Sequence, residues 1–304
     1  MKLLNFLKGD SKIDFMKHHK LHHVISITLV IASIALISIR GLNLGIDFSG
    51  GILIEAQIKG TNASALRDVF KDQEKEVQVQ NIEENIFLIR VPSDNSYIDI
   101  QKGKFLNQSK YIKVIQDSLS SKFRKIDYRK IDYVGPQIGS ELIFKGVMAL
   151  LFSFCAIMFY IWLRFDWQFG LGGILAIIHD AVLVLGFYGV TQIEFNLTSI
   201  AAVLTVIGYS INDSVVIFDR IRDNMRRLKK SAMSKIINES LNSTLKRTVL
   251  TSFTTLLSLS ALLIFGGNVL FSFSAGAFFG ILVGVYSSIY VSAPVLVFID
   301  PREK

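Results

Sequence analysis

Residues 205–220 read TVIGYSINDSVVIFDR. Apart from one pair of positions, residues 205–218 are the text of a membrane helix. Asn212 and Asp213 interrupt it near its middle. An acid at the centre of a membrane helix costs about 2.5–3.5 kcal/mol on insertion scales. A cost of that size is tolerated where the group faces a cavity, a partner charge or a proton path. Whether lipid surrounds this stretch therefore decides both the fold and the chemistry.

The composition says that it does. The chain has 304 residues, 51% hydrophobic and 19% charged, with a mean hydropathy of +0.44. Soluble domains carry about 25% charged residues. The formal charge of +8 does not point to nucleic acid, because the bases cluster beside apolar spans, as membrane topology requires. Cys155 stands alone in an apolar run, so no intramolecular disulfide is available. The first apolar segment lacks a small-residue cleavage site, which marks a retained helix rather than a signal peptide.

Six segments are long enough to cross a bilayer core of about 30 Å. They lie near 24–39, 146–163, 169–190, 197–218, 248–265 and 269–299. The stretch 219–246, read as a loop, is dense in Arg and Lys, as is the N-terminus with Lys2, Lys8, Lys12, Lys17 and Lys20. The turns at 191–196 and 266–268 carry no basic residue. The positive-inside rule then places both termini and the basic loop in the cytoplasm. The expected organisation is a basic N-terminus (1–23), helix 1 (24–40), an outer domain (41–140), helices 2–6 (141–299) and a cytoplasmic C-terminus (300–304). In the outer domain, strands are expected at 52–58, 77–82, 86–91 and 126–134, with helices at 63–71 and 110–123. Tyr111, Ile112, Ile115, Leu119 and Phe123 share one face of the second helix. The order β-α-β-β-α-β is the ferredoxin-like pattern.

Few groups inside the spans can ionise. Asp213 lies six residues before Asp219, about 9 Å from that boundary at about 1.5 Å per residue. Arg247 opens the next span from the same side. Thr244, Arg247, Thr251, Thr254 and Ser258 form one polar stripe, and Thr198, Thr205, Tyr209 and Asp213 another. Two readings stand for these faces: a hydrated proton relay built on Asp213 and Arg247, or a structural salt bridge with interhelical hydrogen bonds. Asp180 serves such a relay or acts as helix glue, while its neighbour His179 reads as packing. His18, His19, His22 and His23 have i, i+4 spacing, but no acid or cysteine nearby completes a metal site. Gly276, Gly280 and Gly284, with Ser272 and Ser288, form a small-residue stripe for close helix packing. No Walker loop, nucleophile elbow or metalloprotease motif appears, so a non-enzymatic chain without a cofactor is expected.

Five stretches carry a family likeness: GLNLGIDFSGG (41–51), VGPQIGSEL (134–142), YIWLRFDWQFGLGGILAIIHD (160–180), TVIGYSINDSVVIFDRIRDN (205–224) and KRTVLTSFTTLL (246–257). They closely resemble SecF proteins of the SecD/SecF family, in the RND superfamily. The resemblance implies a six-helix, RND-type half with one α+β periplasmic domain, in the bacterial inner membrane. It implies a SecD partner, work beside the SecYEG channel with SecA and YajC, and export of unfolded polypeptides driven by protons. It assigns the proton path to Asp213, next to Asn212, and to Arg247. It assigns a periplasmic motif to Gly45, Asp47, Phe48, Gly50 and Gly51. A small-molecule exporter half and a proton-inert scaffold for SecD and the channel are the rival readings.

Overall fold

The computed structural model describes residues 13–70, 77–92, 98–99, 104–105, 108–123 and 125–302. Lys2, Lys8, Lys12, Lys71, the Tyr111 side chain and residues 303–304 fall outside that description. In chain order the elements are a 3-10 turn (Phe15–His18), α1 (His19–Arg40), α2 (Ile46–Ser49), β1 (Gly51–Ile58), α3 (Ala63–Asp68), β2 (Gln78–Glu83), β3 (Ile86–Pro92), β4 (Ile98–Asp99), β5 (Lys104–Phe105), α4 (Gln108–Lys122) and β6 (Ile126–Val134). The long helices follow: α5 (Pro136–Arg164), α6 (Trp167–Thr191), α7 (Leu197–Arg227), α8 (Met233–Phe265) and α9 (Gly267–Ser287). A π-helical segment (Ser288–Ser292) and the short α10 (Val295–Phe298) close the chain.

Two compact units result: residues 44–147, and residues 1–43 with 148–304. The first is the insert. Its sheet has the order β2-β3-β1-β6, with every neighbouring pair antiparallel. That is the split β-α-β-β-α-β topology read from the alternating strands. Ile52, Ile54, Ala56 and Ile58 point to one face of β1 and are buried with Phe87, Ile89 and Val91 of β3. Leu66 and Phe70 cover them from the α3 side, and Ile115 and Leu119 from α4.

Among the described residues six helical segments are long and apolar enough to cross a membrane. Their packing is unequal. In α6, 61% of the apolar window is buried, against 6% in α1 and in α5. Thus α6 is the central helix, while α1 and α5 present Ile27, Ile31, Phe144 and Phe152 outward. The small-residue stripe of α9 explains how the centre closes. A Cβ at Gly276 would fall on the Tyr188 hydroxyl of α6. One at Gly280 would fall on Val206 of α7 and within 2.9 Å of Val184 of α6. One at Gly284 would stand 3.3 Å from the Ser210 Cβ. Hydrogen then takes the place of a methyl at each crossing, and the backbones approach closely.

The basic stretch 219–246 is not a loop. Helix α7 runs on to Arg227 and α8 begins at Met233, so only residues 228–232 turn. Ile217, Phe218 and Ile221 continue the buried stripe of α7, and Met233, Ile236, Ile237 and Leu241 that of α8. Arg and Lys are good helix formers, so a charged amphipathic extension keeps the helix where a polar loop was expected. Asn224 Nδ2 donates to Ser240 Oγ at 2.9 Å and Arg220 Nε to Ser243 Oγ at 2.9 Å, zipping the two extensions. Arg302 clamps the turn by donating to the Ser231 carbonyl at 2.9 Å while bound to Asp300. Hydrogen bonding from Arg302 holds the Asp300 carboxyl below its usual range, against a smaller opposing effect of burial. A lowered carboxylate stabilises above its ordinary value and loses that contribution as pH falls through the lowered one. Protection of amides 228–232, taken relative to the intrinsic exchange rate at each pH, is therefore expected to fall as pH drops below the ordinary Asp range and to be flat around neutrality.

Candidate functional site

Asp213 is carried inward by the apolar stripe of α7. Val203, Val206, Ile207, Ser210, Ser214, Ile217 and Phe218 are buried at helical spacing, and Asp213 lies among them at 4% exposure. Arg247, exposed on α8, is the cation electrostatically coupled to it. Among the described residues no direct ion pair joins the two. Asn212 is one residue away, so it turns by about 100° and is exposed.

The polar contact between α7 and α8 differs from the expected one. Thr251 donates to the Arg247 and Thr248 carbonyls, both at 3.0 Å, Thr254 to the Thr251 carbonyl and Ser258 to the Thr254 carbonyl. These hydroxyls serve their own helix, as Ser and Thr in helices often do. The facing surface of α8 is instead Thr248, Ser252 and Thr255. Tyr209 Oη donates to Ser252 Oγ at 3.4 Å and accepts from Thr255 at 3.5 Å. Thr251 is thus displaced from the shared face by about one residue's rotation.

Asp180 is fully buried on α6 and joins three helices. Its Oδ2 accepts from Ser210 of α7 at 2.5 Å and from Ser287 of α9 at 2.7 Å. Its Oδ1 lies 2.9 Å from His179 Nδ1. His179 is thus a partner of the carboxylate and not packing alone. Sequence reasoning missed Ser210, Ser287 and Ser252, which lie on three different helices.

Within the insert, the glycine-rich motif makes a turn. Gly45 precedes α2, Ser49 Oγ donates to the Gly45 carbonyl at 3.0 Å, and Phe48 is buried. Gly50 and Gly51 have φ of 69° and 128°, a region that side chains strain. Gly51 then pairs with Pro92 on one side and Val134 on the other. The second motif meets the first: a Cβ at Gly139 would lie 2.7 Å from the Phe48 carbonyl oxygen. Gly139→Ala is expected to loosen this turn at a cost of about 1–3 kcal/mol, read as faster amide exchange over residues 46–51.

These motifs and this topology match known proteins. The model described as "Protein export membrane protein SecD/SecF, C-terminal" matches residues 114–302, and "SecD/SecF GG Motif" matches residues 35–61. The chain belongs to the SecD/SecF family. Among its relatives, the Protein translocase subunit SecF of Rickettsia rickettsii is 48% identical over 297 residues, covering 96% of this chain and 94% of the relative. That of Rickettsia felis is 47% identical over 304 residues, covering 99% and 96%. The crystal structure of SecDF, a translocon-associated membrane protein from Thermus thermophilus, superposes with a TM-score of 0.84 at 34% identity. A structure of SecDF in a super-membrane-facing form gives 0.70, also at 34% identity. Each match covers 96% of this chain, which spans only 39% of each SecDF chain.

Proposed function

We propose that this SecD/SecF family chain is the SecF-type subunit of a bacterial Sec translocase. With a SecD partner it uses the proton-motive force to promote export of unfolded polypeptides beside SecYEG, with SecA and YajC as further partners. The observation that carries the reading is Asp213, a carboxylate 4% exposed in an apolar helix bundle and coupled to the Arg247 charge. Gain and loss of a proton there changes a buried charge, and one charge falling through about 100 mV supplies about 2.3 kcal/mol. The coupling ion is the proton, and no enzymatic step or cofactor is invoked. Asp180 belongs to the same reading as a second inner acid. The basic extensions around residues 228–232 and the basic approach to α1 lie on the cytoplasmic side of the inner membrane, and the insert is periplasmic.

The outer surface of α7 supports a SecD partner. Ala201, Thr205, Gly208 and Asn212 are exposed at steps of four, three and four. A surface meant for lipid carries large apolar side chains, as α1 and α5 do, whereas small residues suit an incoming helix. The test is proton flux into liposomes holding this chain with its SecD partner, with and without an unfolded secretory polypeptide. Flux that requires both subunits and rises with the polypeptide is the expected result. A complex that aids export yet passes no protons at any gradient is a scaffold, and the proposal fails.

A further inference from the structure

A second polar line crosses the bundle beside the Asp213–Arg247 pair. It begins at Asp180, whose Oδ1 faces His179 Nδ1 at 2.9 Å. His179 is 4% exposed, and its Nε2 is buried with no hydrogen-bond partner among the described residues. Its ring stacks on Tyr286 of α9 with centroids 6.1 Å apart. The Tyr286 hydroxyl donates to the His22 carbonyl of α1 at 3.1 Å, accepts from Ser26 at 3.2 Å and lies 3.5 Å from His22 Nδ1. His22 is half-buried and stacks on Tyr290 at 3.8 Å.

Helix cohesion alone does not account for this arrangement. Ser210 and Ser287 already tie Asp180 to α7 and α9. A histidine kept only for cohesion has both ring nitrogens satisfied when buried. Here Nδ1 lies against the carboxylate; with Asp180 ionised it is the protonated nitrogen, and the buried Nε2 then carries the lone pair. With His179 neutral and Asp180 ionised, the pair carries an uncompensated negative charge away from water, which is costly. One proton on the imidazole makes the pair neutral overall. A carboxylate on Nδ1 that fixes the tautomer and leaves Nε2 to exchange is the arrangement that proton-transferring histidines use.

We infer that His179 and Asp180 form a second proton-binding site, with His179 Nε2 as the accepting atom and Tyr286 and His22 as its link to the start of α1. The inference rests on the proton-driven reading above. On arrival the proton bonds to the Nε2 lone pair, and the Nδ1–H bond to Asp180 is kept. On departure the Nε2–H bond breaks, the Tyr286 oxygen takes that proton and its own hydroxyl proton goes to His22 Nδ1, 3.5 Å away, so one N–H bond is lost at His179 and one is formed at His22. The titratable groups facing His179 are Asp180 on its own helix, Tyr286 from α9 and, through Tyr286, His22 from α1, with His19 and His23 at the same end. Helix α7 presents Ser210 here and Asp213 about one turn further on. The π-helical segment adds Tyr290, and α10 has no titratable residue.

The test is His179→Gln in the chain reconstituted with its SecD partner. The Gln amide can still donate to Asp180, but it does not titrate. Proton flux is expected to fall about tenfold or more and its pH profile to change, with the thermal midpoint unchanged. Native flux and an unaltered pH profile overturn the inference and leave His179 a structural ligand. If His179→Gln lowers the thermal midpoint, Tyr286→Phe decides, because it keeps the ring stack and removes the hydroxyl. Slowed flux in that variant supports the route, and native flux overturns it. Asp213→Asn run in parallel separates the two claims. Flux lost there but kept in His179→Gln sinks only the second site, flux kept in Asp213→Asn removes Asp213 from the route, and no flux in the native complex sinks the proton-driven reading itself.

Discussion

Asp213→Asn is expected to abolish polypeptide-stimulated proton flux, by roughly 100-fold or more if proton transfer through this group limits the cycle. Asparagine matches the carboxyl in size and keeps hydrogen-bonding capacity, so packing of Val206, Ile207 and Ile217 on the same face is undisturbed. It cannot gain or lose a proton at physiological pH. The fold is expected to survive, because a buried ionisable group is replaced by a neutral one and Arg247, being exposed, keeps its hydration. A thermal midpoint at or above the native value, together with lost flux, assigns the effect to chemistry. Asp213→Glu is expected to restore part of the flux, since it returns the titration at a slightly displaced position. Native flux in the Asn variant would falsify the relay through Asp213.

Gly280→Leu is expected to have the largest structural effect. Its first added carbon already falls on Val206 and reaches Val184, with α6 and α7 both behind it. Neither valine can withdraw, since Val184 is 0% and Val206 1% exposed. Overpacking of this kind costs about 1–3 kcal/mol where neighbours can shift, and more is expected where two helices must part. Separation of α9 also draws Ser287 from Asp180 and leaves that carboxylate short of a donor. A lowered thermal midpoint in detergent is the expected readout. Gly208→Ala is the control. A Cβ there meets nothing within 4 Å, so the isolated chain is expected to melt unchanged. The same substitution is expected to weaken co-purification with SecD, because Gly208 lies on the exposed small-residue face of α7. Equal melting of both variants would show that the stripe does not hold the bundle.

Most of the architecture was legible in the residues. Span length, the alternation of Ile52, Ile54, Ala56 and Ile58, and the four-residue glycine spacing of α9 are local periodicities. A helix or strand displays them whatever surrounds it. The misplaced elements share one cause. Residues 219–246 read as a loop when their charge outweighs the stripe of Ile221, Ile236, Ile237 and Leu241. Charged residues on the outer face of a helix do not end it.

The lines of contact between helices were not legible in this way. Helix α8 carries hydroxyls on two adjacent faces, 251–254–258 and 248–252–255, and a hydroxyl can always bond its own preceding turn. A polar stripe is therefore no proof of a polar contact, and packing against Tyr209 alone selects the second face. Asp180 shows the same limit more sharply. Its donors Ser210 and Ser287 stand 30 and 107 residues away, and no local period ties them to it. The sequence announced which groups are costly to bury. Where each finds its partner is set by helix–helix packing, because a buried charge is satisfied through space and not along the chain.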